Sequence, residues 1–184
     1  MRKNEGVTLI ELLVVLVVLA ILIGLAAPDL RGLLVRWAAD TAAASLADDF
    51  RYARSEAIKR NDFVTICRSA DGKSCAGQAG SWHTGWLVFV DHDSDGAVDT
   101  TASSAAPPDE ILRAQQSLSL IDAMLPLTGN PEKQFKFRPN GLAPGYLGNL
   151  VVTASASVPG GTVLLCVSAT GRIQPRPGQV ACSS

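Results

Sequence analysis

Gly6-Val7-Thr8-Leu9-Ile10-Glu11-Leu12-Leu13 is the stretch on which the fold of this chain turns. It opens an apolar run that reaches Ala27 and is broken only by Thr8 and by one acid, Glu11. Two cations, Arg2 and Lys3, precede the glycine. A carboxylate that deep in an apolar segment is costly in lipid and needs a partner or a cavity. An ordinary secretory signal peptide accounts for the basic end, but here the glycine stands before the apolar run and the run continues into a helical pattern. A plain membrane anchor is lean: Leu12 to Ala27 is uncharged, yet at ~1.5 Å per residue it spans roughly 24 Å, short of the ~30 Å hydrocarbon core. Neither reading explains Glu11.

The segment resembles the class III leader of type IV prepilins, and Leu9-Ile10-Glu11-Leu12-Leu13 matches that family's usual run. The resemblance implies a cut by a prepilin peptidase between Gly6 and Val7, methylation of the new N-terminus at Val7, and an assembly role for Glu11, the fifth mature residue. Val7 departs from the usual phenylalanine or methionine. A buried glutamate wants a cation, and the α-amino group of Val7 in a neighbouring subunit can supply one. Before assembly the same segment holds the chain in the inner membrane as a single pass. Arg2 and Lys3 then lie on the cytoplasmic side and the C-terminal domain in the periplasm; after assembly the chain belongs to a pilus or pseudopilus. The implied divisions are a leader over 1–6, a transmembrane and assembly helix over 7–28, and a periplasmic globular domain over 29–184.

The rest of the 184 residues suffices for one such domain. Net charge is −1, so attraction to nucleic acid has to come from a local patch. Pro28 is a candidate bend. Beyond it Leu30, Leu34, Trp37, Thr41 and Ala44 repeat at three- and four-residue steps, then Leu46, Phe50, Ala53 and Ala57 after a phase shift. This predicts an amphipathic helix, with Arg31, Arg36, Asp40, Asp48, Arg51, Arg54 and Lys59 on the other face and Asn61-Asp62 at its end. Strands are predicted at 63–67, 86–90, 111–112, 134–137, 150–153 and 162–167, separated by Gly, Pro, Asn and Asp clusters. The fold class is α+β: a long N-terminal helix packed on an antiparallel β-rich domain, which also resembles the pilin fold.

Arg54-Ser55-Glu56-Ala57-Ile58-Lys59-Arg60 running into Val64-Thr65-Ile66-Cys67, then Gly85-Trp86-Leu87-Val88-Phe89-Val90-Asp91, and late Gly171-Arg172-Ile173, look in that order like the GspH/FimT family of minor pilins and pseudopilins. This implies a structural subunit whose partners are other pilin or pseudopilin subunits and the prepilin peptidase. The filament is a type IV pilus or, alternatively, the pseudopilus of a type II secretion system. In some FimT-type pilins a Gly-Arg-x-Arg motif contacts DNA. Gly171 and Arg172 match that motif; Gln174 stands in place of the second arginine, and Arg176 follows. The resemblance thus points to double-stranded DNA as a partner, with Arg172 and Arg176 as contacts and Lys133, Lys136 and Arg138 extending the basic surface. Such contacts are made to phosphates and are salt-sensitive.

Four cysteines, Cys67, Cys75, Cys166 and Cys182, allow three connectivities. In the periplasm disulfides form, and proximity favours Cys67–Cys75 and Cys166–Cys182. The second pair would tie down a tail in which Pro175, Pro177 and Gly178 argue against regular structure. No CxxC is present to hold a metal. Asp91-His92-Asp93-Ser94-Asp95-Gly96 resembles the start of a calcium loop, but Ala102 stands where the bidentate glutamate belongs; a polar turn after a strand is the competing reading. Two histidines and no catalytic motif leave nothing for an enzyme to be built on, and no cofactor is implied.

Overall fold

In the computed structural model, the described residues are 7–76, 81–102, 106–128, 134–144, 148–168, 170–179 and 181–182. The chain divides into two compact units, Met1–Leu34 and Val35–Ser184. Helix α1 (Leu9–Arg60) is continuous through the position of Pro28. It stops where the sequence says it should: Asn61 takes the left-handed conformation (φ 54°), and the Asp62 amide returns to the Ala57 carbonyl.

Within the second unit α1 buries one stripe: Ala38, Ala39, Ala42, Ala43, Leu46, Ala47, Phe50, Ala53 and Ala57. The later part agrees with the expected periodicity and the earlier part does not. Leu34, Trp37, Thr41 and Ala44 are exposed, and the alanines beside them face the core. Hydrophobic size is the misleading signal here. A helix lying on a sheet needs small side chains where the backbones come closest, so alanine outcompetes the larger Leu34 and Trp37 for the buried face.

Among the described residues, eight strands form two antiparallel four-stranded sheets: β1 (Val64–Arg68), β2 (Trp86–Val90), β3 (Glu110–Gln115), β4 (Ala123–Thr128), β5 (Gln134–Phe137), β6 (Gly148–Thr153), β7 (Thr162–Val167) and β8 (Ile173–Pro177). The first sheet has the order β3-β2-β1-β5 and the second β4-β6-β7-β8. Helix and sheets share one core. The Phe50 ring meets Phe135 edge-on at 4.5 Å and Phe137 at 6.0 Å, and Leu150, Val152, Val163, Leu165 and Ile173 belong to the same cluster. A second small cluster, Cys67, Leu87 and Phe89, lies on the other face of the β1–β2 pair under Cys75 and Val98. Both central strands are therefore buried on two faces, which explains the unbroken apolar run of β2 and the burial of Thr65 and Arg68 along with the apolar residues of β1.

Two strands depart from the sequence expectation. β4 contains Pro126 and is not among the strands predicted from sequence, yet it pairs with β6. β8 contains Pro175 and Pro177, which argued against regular structure, yet Val163–Val167 pairs with it throughout. Both are edge strands. The two prolines are two residues apart, so their nitrogens face one side of the strand. That side is the free edge, where no ladder hydrogen bond is lost.

Candidate functional site

Two regions carry the residues singled out above. At the head of α1, the Thr8 carbonyl and hydroxyl both accept from the Glu11 amide, at 3.1 and 3.4 Å, so Glu11 lies in the first helical turn. Its side chain is exposed, as are all the apolar residues from Leu9 to Ile23. Gly6, the expected cleavage site, lies outside the described residues. Among the described residues no helix is long and apolar enough to cross a membrane.

The second region is the turn between β7 and β8. The Ser168 amide donates to the Arg172 carbonyl at 2.9 Å, and the Gly171 amide to the Ser168 carbonyl at 2.8 Å. Gly171 has φ 72°, and a side chain there would meet Cε1 of Phe137 at 2.8 Å, so the turn is pressed onto the end of β5 and only glycine fits. This presentation leaves Arg172 exposed beside α1. A cleft of about 420 Å³ is lined by Arg51, Arg54, Ser55 and Ile58 from the helix and by Gly171, Arg172, Ile173 and Gln174 from the turn. Arg51, Arg54, Ser55 and Ile58 fall at three-, four- and seven-residue steps, one stripe of the helix. Arg51 is paired with Asp48 at 2.5 Å, while Arg54 and Arg172 have no acidic partner among the described residues. Arg176 donates to the Gln174 side chain at 2.9 Å, so these two side chains share one flank of β8.

The periodicity alone places Arg51 and Arg54 on the helix face opposite the core stripe. Their convergence on Arg172 is a tertiary fact, although their spacing with Ile58 was visible. Lys136 and Arg138 do not join them; they line a separate cleft with Phe63, Ser94 and Pro144. Lys133 lies outside the described residues. Lys136 is engaged in the protein interior: its ammonium pairs with Asp91 Oδ2 at 3.3 Å and donates to the Ser94 carbonyl and, at 3.0 Å, to the Ser94 hydroxyl. The Thr65 hydroxyl also donates to Asp91, at 2.6 Å. The acids of the calcium-like loop, Asp91, Asp93 and Asp95, do cluster, but the positive charge at the buried Asp91 comes from the chain itself. Crowding by burial and by the neighbouring acids, Asp95 foremost, raises the Asp99 pKa above the usual aspartate range.

The helix is fastened to the first sheet by polar anchors. Asp49, buried, accepts from Trp86 Nε1 at 2.7 Å and pairs with Arg113 at 2.8 Å; the Arg113 guanidinium lies 3.7 Å above the Tyr52 ring. Within the helix Glu56 pairs with Arg60 at 2.7 Å and Lys59 at 3.2 Å, and Arg60 in turn reaches Glu110 of β3 at 2.5 Å. The hydrogen bond from Arg60, helped by Lys59, holds the Glu56 carboxyl below its ordinary range despite burial. Gly85, before Trp86, has φ 123° and lies so near the Gln115 and Ser69 carbonyls that any side chain would strike them. Thus the Gly-Trp pair is a hinge of close backbone approach followed by an anchor to the helix. Disulfides join Cys67 to Cys75, across Cα atoms 5.6 Å apart, and Cys166 to Cys182, 5.8 Å apart.

A helix carrying an acid in its first turn, laid on two antiparallel sheets, defines a pilin-type subunit. Comparisons agree. Residues 1–27 match the prokaryotic N-terminal methylation motif, and residues 42–172 match the family described as type II transport protein GspH. Pilin-like protein PilA1 of Thermus thermophilus is 44% identical over 96 residues, covering 52% of this chain and 54% of that protein, so the match spans about half the length of the relative. The fold is similar to that of the type IV minor pilin FimU of Pseudomonas aeruginosa in two crystal forms. The TM-scores are 0.52 and 0.51 at 20% and 21% identity, covering 76% and 75% of this chain and 88% and 92% of the FimU chains. The chain belongs to the GspH family of minor pilins and pseudopilins. Members are structural subunits, not enzymes.

Proposed function

We propose that this subunit is a minor pilin of a type IV pilus, anchored through residues 7–28 in the inner membrane with its globular domain in the periplasm, and that the domain contacts double-stranded DNA for uptake. Glu11 in the first turn of α1 carries the assembly part of this reading. Cleavage after Gly6 frees the Val7 amine, and in the filament that amine neutralises Glu11 of the adjoining subunit. A registered ion pair in an apolar bundle sets axial position more than it adds stability. The likeness to pilin-like and minor-pilin proteins supports a pilus; the family description as a type II transport protein favours a secretion pseudopilus as the second reading. Arg172, presented on a glycine-specified turn with Arg176 on the same strand, supports DNA contact.

Mass spectrometry of the membrane-extracted chain is expected to find an N-terminus at methylated Val7. Glu11→Ala is expected to leave cleavage intact and abolish incorporation; normal incorporation contradicts the assembly role. Recovery of the chain in sheared pili, and not with secretion pseudopilins, separates the two filaments. For DNA, electrophoretic retardation of a duplex by the full chain should fall with salt and fall further in Arg172→Ala plus Arg176→Ala.

A further inference from the structure

The cleft between α1 and the β7–β8 turn has a composition that DNA contact through β8 alone does not explain. Its polar rim comes from two elements distant in sequence: Arg51 and Arg54 on the helix, Arg172 on the turn. Ile58 and the buried Ile173 supply apolar lining. Gly141 borders the same place, where a side chain would meet Cδ1 of Ile58 at 2.7 Å and Nε of Arg54 at 3.2 Å, so a glycine makes the room in which Arg54 lies. In a chain of net charge −1, three guanidinium groups around one cleft, two without an acidic partner among the described residues, make a local positive field.

We propose that Arg51 and Arg54 are phosphate-contacting residues that act with Arg172 as one cradle for the sugar–phosphate backbone of duplex DNA. This rests on the DNA reading above and deepens it. Guanidinium forks match phosphate oxygens in pairs, and the spacing of phosphates along a strand needs cations at more than one position. A turn with a single free arginine supplies one; the helix supplies the others. Deoxyribose carbons find an apolar surface at the exposed Ile58. Such contact is blind to base sequence and loses affinity with salt.

The test uses the full chain in mild detergent and a fluorescently labelled duplex, read by anisotropy at several salt concentrations between about 50 and about 200 mM, where multi-phosphate binders lose orders of magnitude in affinity. Arg54→Gln and Arg51→Gln are each expected to weaken binding severalfold and to lower the slope of log affinity against log salt by about one, as Arg172→Gln does. Arg54→Lys should restore part of the slope, and the remote surface variant Lys73→Gln should match wild type. Thermal unfolding midpoints identify any variant that merely unfolds. If Arg172→Gln weakens binding while Arg51→Gln and Arg54→Gln leave affinity and slope unchanged, the cradle is wrong and the DNA reading stands. If wild type binds no duplex, both fall. If poly-glutamate at equal charge displaces the duplex as well as unlabelled DNA does, the cleft is a site for acidic polypeptide and the proposal is overturned.

Discussion

The two halves of α1 are made of the same class of side chain and meet opposite surroundings. From Leu9 to Ile23 the helix is built of leucine, isoleucine and valine, and every one of them is exposed; Leu16 is 57% accessible. From Ala38 to Ala57 the apolar stripe is mostly alanine, and Ala43 and Ala47 are fully buried. The bulkier half is exposed, and the smaller half forms the centre of the core. Small side chains let the sheets approach the helix, and bulk is supplied from Phe50, Phe135 and Trp82. An exposed apolar stretch of such extent belongs against lipid or other subunits, which is the use proposed for it. The lesson is that hydrophobicity ranks how strongly a segment avoids water, while side-chain size and spacing decide what it packs on.

This contrast can be broken most sharply at Phe50. Phe50→Ala removes the ring that both β5 phenylalanines pack against, and a loss of about 4 kcal/mol of domain stability is expected by urea unfolding. A loss below about 1 kcal/mol would show that the alanine stripe, not the aromatic centre, holds helix to sheet. Lys136→Ala comes next: it strands the fully buried Asp91, and about 3 kcal/mol should be lost by the same measurement. An unchanged midpoint would put Lys136 back among the solvated cations.

A smaller effect separates the charged fastening of the helix end from its apolar packing. The Glu56 carboxyl titrates below the ordinary glutamate range in the folded chain because Arg60 donates to it. A lowered folded value means stability that is present above the unfolded value of about 4.3 and disappears as pH falls through the folded one. Glu56→Gln should therefore be less stable than wild type at neutral pH, with the gap closing on acidification below about pH 4. A gap that stays constant with pH would assign the loss to packing. Smallest of all, Leu16→Ala in the stem should leave the unfolding midpoint of the domain unchanged, since that side chain is exposed and lies outside the domain core.

Much of the architecture was legible because it rests on local signals. The helix end at Asn61-Asp62 is a left-handed cap, and Asn tolerates that conformation. Strand β2 announces itself as an unbroken apolar run, and β5 alternates half-buried and buried residues at the strand period. Other features were not legible because they depend on neighbours far along the chain. Prolines at 126, 175 and 177 look like strand breakers until the strands are found at sheet edges. Trp37 looks like core until the alanines beside it are seen to face the sheets. Lys136 looks like a surface cation until Asp91 and Ser94 are brought to it.

The sequence by itself determined the polarity of the molecule: where the apolar stem begins, the single acid within it, the amphipathic continuation, and an α+β domain with cysteines close enough to pair. Periodicity, turn chemistry and charge placement are properties of consecutive residues, and they survive without knowledge of the fold. Tertiary structure alone decided which helix face is buried, which strands are edges, which lysine is consumed by an internal acid, and that Arg51 and Arg54 stand beside Arg172. Those outcomes depend on close approach between segments far apart in the chain, where side-chain volume and charge neutralisation, not local preference, select the arrangement.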